Sequence, residues 1–175
     1  LYETKTNKKI LVINLLCNIF MRKSDNLFES VKNIMNNYML KKNCDAIIID
    51  IHGEAASEKQ ALANYLDGKV TAIIGTHTHV PTSDLRILPH GTAYQTDAGM
   101  CGDYDSVIGG DKNKWIENFV EKPGFQKIKP ASINHTICGA IIKVYEDTGL
   151  SSVAKQLILG DILENKIPDE KLFLK

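Results

Sequence analysis

Three of the five histidines in this 175-residue sequence stand where two predicted strands end. His52 comes two residues after Asp50 at the end of one apolar run, and His77 and His79 follow the next such run. Neutral imidazole binds first-row divalent metals well. Two residues that are two positions apart, such as His77 and His79, face the same way when their backbone is extended. A lone histidine is more often a hydrogen-bonded structural residue than a ligand. The combination of three at adjoining strand ends therefore favours a metal site.

The elements that must position these histidines alternate between strand and helix in the first half of the chain. Continuous β-branched apolar runs predict strands buried on both faces, and apolar residues at helical spacing predict the helices between them. The predicted strands cover residues 9–14, 46–51 and 70–74, and the predicted helices cover residues 25–41 and 57–67. This order indicates an α/β fold with a sheet that is at least partly parallel. In such sheets ligands bind just beyond the carboxyl ends of the strands, where the histidines stand.

The second half changes character after Val80. Short strands are predicted around the turn at 89–91, then a glycine-containing loop over 97–111 and a short helix over 112–120. Two apolar runs at 138–145 and 153–159 predict a terminal hairpin. We therefore expect one domain over residues 1–162, followed by a polar tail over residues 163–175.

Composition limits the partners that this chain is expected to have. Lys plus Arg and Asp plus Glu both number 21, so there is no basic excess to bind nucleic acid, and we predict no nucleic-acid groove. The apolar run at 10–16 is too short to span a bilayer, so no membrane association is expected. The four cysteines, at 17, 44, 101 and 138, form no CxxC pair. We expect them to be buried free thiols of a cytoplasmic protein.

Several motifs in order give the sequence a family resemblance. Residues 50–59 (DIHGEAASEK) and 75–82 (GTHTHVPT) are followed in register by 85–89 (LRILP), 91–94 (GTAY) and 96–100 (TDAGM). Together they resemble the bacterial YmdB-like metallophosphoesterases, which are calcineurin-like enzymes. The resemblance runs most clearly from about residue 46 to residue 108.

The resemblance implies both a fold and an activity. The fold would be a calcineurin-like α/β/β/α sandwich that holds two divalent metal ions, iron or manganese. The activity would be phosphodiester hydrolysis, notably of 2′,3′-cyclic nucleotides, with a hydroxide bound between the metals as the nucleophile. By the family pattern, His52 and His77 would bind the second metal and His79 the first. Asp50 would support the ligands rather than bind a metal.

The family pattern also contains parts that this sequence does not show before His52. Family members begin with a strand bearing an Asp ligand, and then a Gly-Glu-Asn segment whose Glu bridges the metals. A Gly-Asn-His segment follows, with an Asn ligand and the histidine that protonates the leaving group. We therefore expect this chain to correspond to the carboxy-terminal portion of a family member, lacking the amino-terminal strands and that catalytic histidine.

Charge leads independently to the same expectation. Two divalent ions bring four positive charges, and three neutral imidazoles offset none of them, so carboxylates are needed. Asp50, Glu54 and Asp97 are the candidates in this chain, as ligands or as residues that support the ligands. We expect the chain alone to hold at most one ion, weakly.

Two functions of different classes remain open from the sequence. The first is a fragment of a dinuclear phosphodiesterase, inactive by itself and acting on small phosphodiesters in its intact form. The alternative is a non-catalytic remnant, or an α/β module that binds a metal or a partner. A separate amino-terminal complement chain or a second copy of this chain would be that partner, because missing strands leave a sheet edge unpaired.

Overall fold

The computed structural model describes residues 1–120, 127–169 and 171, so positions 170 and 172–175 of the predicted polar tail lie outside the described residues. The elements in chain order are β1 Tyr2–Glu3, β2 Lys9–Leu16, α1 Leu27–Met35, β3 Ala46–His52, α2 Ala56–Leu66, β4 Ala72–Thr76, β5 Arg86–Ile87, β6 Ala93–Gln95, β7 Gly102–Asp103, α3 Lys112–Val120, β8 His135–Val144 and β9 Ser151–Gly160. The alternation of strand and helix confirms a mixed α/β fold.

The first sheet has six strands in the order β1-β2-β3-β4-β6-β5. The four inner strands are parallel, and the short edge strands β1 and β5 pair antiparallel with β2 and β6. The register places Leu16 opposite His52 and His52 opposite Thr76. The carboxyl ends of β2, β3 and β4 therefore meet at one edge of the sheet, as the sequence predicts.

Only one face of β2 is buried, which corrects the prediction that this strand is covered on both faces. Leu11, Ile13 and Leu15 pack into a core with the buried side chains of α1 and α2. Their neighbours Val12 and Leu16 are 60% and 48% exposed, because both helices lie on the other side of the sheet. We call the side of the sheet that carries Val12 and Leu16, which the helices do not cover, the open face. Its residues on β2 and β3 alternate with the core residues and are Val12, Asn14, Leu16, Ile48, Asp50 and His52.

The edge of β2 is also largely unpaired within the described residues. The two-residue strand β1 pairs only with Lys9 and Ile10. From Leu11 onward the outer edge of β2 has no strand beside it in the described part of the chain.

Helix α1 is shorter than predicted at both ends. It begins at Leu27 and is capped by Asn26, whose side-chain oxygen accepts hydrogen bonds from the Phe28 and Glu29 amides, rather than by Asp25. It ends at Met35 because Asn36 and Asn37 follow, and asparagine competes for backbone hydrogen bonds at helix ends. Strand β4 runs from Ala72 to Thr76, two residues later than predicted.

The second sheet has the order β7-β8-β9 and contains the predicted hairpin, formed by β8 and β9. Thr71, just before β4, connects the two sheets. Its hydroxyl donates to the Gly149 carbonyl at 2.7 Å and accepts from the Ile47 amide at 2.9 Å, and its carbonyl accepts from the Ser151 hydroxyl at 2.8 Å. Lys166, in the predicted tail, forms a β-bridge with Ile158 on β9.

All four cysteines are free, as predicted. Cys101 is exposed, however, which corrects the expectation that all four are buried, because it lies in the irregular loop before β7. No helix in the described residues has the length and apolar character needed to cross a membrane.

Candidate metal centre

His52, the last residue of β3, is oriented by a chain of hydrogen bonds across the open face. Its Nδ1 lies 3.0 Å from the Thr76 hydroxyl oxygen, and that hydroxyl donates to Asp50 Oδ1 at 2.8 Å. Asn14 donates to the other carboxylate oxygen of Asp50 at 2.7 Å. Because the Thr76 hydrogen is directed to Asp50, its oxygen accepts from Nδ1–H of His52. The Nε2 lone pair of His52 is therefore the one available to a ligand.

His77 lies one residue past β4, in backbone that is not extended. Its φ of +114° is in a region that residues with a Cβ rarely adopt. Its Nδ1 is 3.2 Å from His52 Nε2, and the two rings are perpendicular, with centroids 4.9 Å apart. On the opposite side of its ring, Nε2 lies 3.3 Å from Glu54 Oε2. The pair predicted at adjoining strand ends is thus brought together.

His79 does not join that pair. The sequence-based expectation that His77 and His79 face the same way required extended backbone, but β4 ends at Thr76 and His79 also has a positive φ, +67°. The exposed His79 ring places Nδ1 2.9 Å from the Ile108 carbonyl oxygen, which can only accept. The Nδ1–H is thereby engaged, and Nε2 is the nitrogen with a lone pair for a ligand.

The three candidate carboxylates occupy three different places. Asp50 is half-buried behind His52 and is engaged by Thr76 and Asn14. Glu54 is 53% exposed at the rim beside His77. Asp97 is buried and turned towards the backbone. Among the residues that the structure describes, no three or more His, Cys, Asp or Glu side chains are grouped so that they could hold one ion together.

Asp97 and Lys59 form a buried ion pair beneath the His77 segment. The Asp97 Oδ2 accepts from the Thr78 amide at 2.9 Å and lies 3.4 Å from Lys59 Nζ, and Oδ1 accepts from the Gly99 amide at 2.9 Å. Lys59 Nζ also donates to the carbonyl oxygens of Thr76 at 2.7 Å and Thr96 at 3.0 Å. The pair therefore binds backbone on both sides of His77.

Sequence reasoning assigned no role to Lys59 or Thr76. A signal for Lys59 was present, because it occupies the buried stripe of α2 with Leu62, Ala63 and Leu66, where a lysine is rarely found without a partner. Thr76 lacked such a signal. Its position between Asp50 and His52 depends on the register of β3 and β4, which the pattern of either strand alone does not specify.

Cys17 is a buried thiol that packs against Gly53, the residue after His52. A Cβ built on Gly53 would lie 2.2 Å from Cys17 Cβ, so only glycine fits beside this thiol. Burial, and then the nearby Glu58 carboxylate, raise the pKa of Cys17 to about 12. The thiol is therefore protonated at neutral pH in the metal-free protein.

Comparison with known proteins shows the family to which this chain belongs. A family model described as YmdB-like protein matches residues 1–157. The chain belongs to the YmdB-like family. This confirms the family resemblance seen in the motifs, and the family is of the metallophosphoesterase type, which implies a metal cofactor.

Relatives of this YmdB-like chain are longer than the chain itself. A 2′,3′-cyclic-nucleotide 2′-phosphodiesterase of Bacillus subtilis is 36% identical over 160 residues, which are 91% of this chain and 60% of the relative. A solved structure of a hypothetical protein from Thermus thermophilus superposes with a TM-score of 0.79 at 32% identity, covering 91% of this chain and 60% of the other. A structure titled as a novel phosphatase from Mycoplasma pneumoniae gives a TM-score of 0.75 at 32% identity, covering 94% and 57%.

The geometry of His52 and His77 fits the metal that the YmdB-like family implies. With metal–nitrogen bonds of about 2.0–2.1 Å, nitrogens 3.2 Å apart subtend an angle of about 100° at one ion. The other nitrogen of each ring faces an acceptor, Thr76 for His52 and Glu54 for His77. Histidine ligands almost always donate their second N–H to such an acceptor. The spacing and the hydrogen bonds of these two residues are therefore compatible with binding one divalent cation.

Proposed function

We propose that this chain carries the histidine side of a dinuclear phosphodiesterase centre whose substrates are small phosphodiesters such as 2′,3′-cyclic nucleotides. The observation that carries the proposal is the pairing of His52 Nε2 with His77 Nδ1 at 3.2 Å, each ring having its other nitrogen at an acceptor. The name of the Bacillus subtilis relative supports the substrate class.

The proposed role of each histidine follows from its hydrogen bonds. His52 and His77 would hold one cation between them, and His79 would offer Nε2 to a second. Thr76 with Asp50, and Glu54, would keep the first two rings in the correct tautomer. Bound cations would polarise the phosphoryl oxygens and lower the pKa of a coordinated water. Iron and manganese are the metals we propose.

We propose that the carboxylate ligands of the metal centre do not come from this chain. The three histidines are neutral ligands, and Asp50 and Asp97 are already engaged by Asn14, Thr76 and backbone amides. Uncompensated charge at a partly buried site is unfavourable, so this chain alone would hold at most one ion, weakly. In the proposed intact protein, an amino-terminal segment supplies the carboxylates and the general-acid histidine and completes an α/β/β/α sandwich. A cytoplasmic location is part of the same proposal.

The test measures bound metal and 2′,3′-cyclic nucleotide hydrolysis, first on the chain as it stands and then on the chain joined to the amino-terminal part of a relative. His77→Ala is the test variant. His90→Ala is its matched control, because His90 is exposed and paired with Asp67 at the far end of α2. We expect the joined protein to bind two metals and to lose metal and turnover with His77→Ala only. A joined protein that folds, binds two metals and cleaves no cyclic nucleotide would exclude the enzymatic function.

A second candidate is a non-catalytic module that binds a metal or a partner chain. It is favoured by the open face, where Val12 and Leu16 are largely exposed, and by the unpaired edge of β2 in the described part of the chain. We propose a polypeptide segment carrying Asp or Glu as the occupant, because its carboxylates would offset the charge of a cation bound by the neutral histidines beside this face. Light scattering of the chain alone, and with the amino-terminal part of a relative added, separates self-association from complementation. A chain that stays monomeric in both cases would contradict the partner-binding form of this candidate.

A further inference from the structure

We infer that Lys59 and Asp97 are positioning residues that hold His77 in the geometry of a metal ligand. The inference rests on the proposed function for its metal-binding consequence, but the position of the His77 ring can be tested without any metal. The polar groups of both residues bond to backbone and to each other, not to the His52 or His77 ring. Both act through the backbone.

Lys59 is satisfied entirely by groups near His77. Its side chain is fully buried, at 0% exposure. The ammonium group has three hydrogens, and they face three acceptors: the Thr76 carbonyl at 2.7 Å, the Thr96 carbonyl at 3.0 Å and Asp97 Oδ2 at 3.4 Å. A buried charge with this complete set of partners holds them at fixed positions, because any shift would leave the charge unsatisfied.

Asp97 binds the backbone on the other side of His77. It is 1% exposed, and its Oδ2 accepts from the Thr78 amide while its Oδ1 accepts from the Gly99 amide. The backbone groups before and after His77, the Thr76 carbonyl and the Thr78 amide, are thus both bonded to one ion pair, and the Thr76 carbonyl accepts in addition from the Gly53 amide at 3.3 Å.

His77 needs such fixing because of its backbone conformation. A φ of +114° costs free energy in a residue with a Cβ and persists only where the surroundings impose it. Relaxation of φ would rotate the ring away from His52, and the 3.2 Å spacing of the two nitrogens would be lost. The register of the sheet cannot prevent this, because β4 ends at Thr76.

An ion pair that only stabilises the fold and one that positions His77 predict different results when both charges are removed. Removing both charges of a buried pair often restores stability, since no unpaired charge is left behind. Asparagine at 97 still offers one acceptor to the backbone, but methionine at 59 offers no donor to the Thr76 carbonyl. The double variant Lys59→Met/Asp97→Asn therefore separates the two roles, and it remains testable if Lys59→Met alone fails to fold.

The experiment compares the wild type, Lys59→Met, the double variant and the control Lys41→Met in the purified chain. Lys41 forms a 2.7 Å ion pair with Asp45 at the opposite end of β3. Lys41→Met therefore also replaces an ion-paired lysine by methionine, but at a distance from the histidines. The first readout is the nuclear Overhauser contact between the His52 and His77 rings in metal-free protein. The second is Mn²⁺ affinity by calorimetry.

We expect the ring contact in the wild type and the control, and its loss in the double variant although the thermal midpoint recovers relative to Lys59→Met. Mn²⁺ affinity should fall about 10- to 100-fold, the usual effect of removing residues that orient ligands. A folded double variant that keeps both the ring contact and the affinity overturns the inference, as does absence of the contact in the wild type. If the contact depends on Lys59 but the wild type binds no Mn²⁺, the inference stands and the proposed metal function fails.

Discussion

Two histidines reach the same point of this molecule by different means. His52 is the last residue of a regular strand, and pairing with β2 and β4 sets the direction of its side chain. His77 lies past the end of its strand, with positive φ, and is directed by hydrogen bonds to its flanking peptide groups. In the regular strand, register sets the direction of the His52 side chain, and the Thr76 and Asp50 hydrogen bonds then orient its ring. In the irregular segment, side chains must also hold the backbone of His77.

The residues behind each histidine differ accordingly. Asp50 is half-buried, bonded by neutral groups on an exposed face, and acts directly on the His52 ring through Thr76. Asp97 is fully buried, is paired with a buried lysine, and acts on backbone. Loss of the first should affect mainly the ligand, whereas loss of the second should affect the fold as well.

The largest expected effect comes from Asp97→Ala compared with Asp50→Ala. Asp97→Ala leaves the Lys59 charge buried and unpaired, so we expect the free energy of unfolding to fall by about 3–5 kcal/mol. Asp50→Ala removes half-buried hydrogen bonds and should cost about 1 kcal/mol. Urea denaturation measures both. Equal losses would mean that the two segments do not differ in how they are supported.

Gly75→Ala is expected to have the next largest effect on stability. A Cβ at Gly75 would lie 1.7 Å from the Thr96 carbonyl oxygen, a backbone atom that Lys59 also holds, so neither side can move aside easily. We expect a loss of about 2–3 kcal/mol of stability. Gly139→Ala in β8 is the control, because a Cβ added there meets no atom within 4 Å, and it should stay within about 0.5 kcal/mol. Thermal unfolding of the pair tests the difference.

Thr76→Val tests only the support of His52, the histidine at the end of β3. It removes the hydroxyl between Asp50 and His52 while keeping the side-chain shape, so stability should fall by only about 1 kcal/mol. Mn²⁺ affinity should still fall about tenfold, because the His52 ring loses the partner that fixes its tautomer. Thr78→Val, two residues later, has only a 3.5 Å contact to the Val80 carbonyl to lose and should leave the affinity unchanged. Similar calorimetric titrations for both variants would contradict this role of Thr76.

The smallest effect is expected for Glu54→Gln. Glu54 is more than half exposed and lies 3.3 Å from His77 Nε2, so solvent screens its charge. The glutamine oxygen can still accept the hydrogen bond, and Mn²⁺ affinity should fall no more than about threefold, the factor for less than 1 kcal/mol. A loss of a hundredfold would instead identify Glu54 as a direct ligand.

The sequence predicted the strand-borne half of this site better than the loop-borne half. The run AIIIDI is strongly β-branched and apolar, and β3 follows it to His52. The helix over 112–120 is confirmed as well. These elements depend on local pattern, and the parallel arrangement follows from the alternation of strands with helices.

The errors concern features that are set by tertiary contacts. The apolar run of β2 predicted burial on both faces, but a pattern cannot show that the helices cover one face only. The spacing of His77 and His79 predicted a common direction, but both adopt positive φ values, and their segment is bonded to the Lys59–Asp97 pair and to the loop near Ile108. Those bonds join residues that are 17 to 38 positions apart in the chain, which sequence spacing does not reveal.

Thr71 has a consequence for the dynamics of the whole molecule. Its hydroxyl and carbonyl link β3 to the β8–β9 hairpin through partners 24, 78 and 80 residues away in the chain. The hairpin therefore cannot separate from the first sheet without exposing the buried Thr71 hydroxyl at the start of the parallel strands β3 and β4. Local opening of one sheet is thereby coupled to the other, and the Ile47 amide should exchange its hydrogen with solvent only when both open as a single cooperative unit.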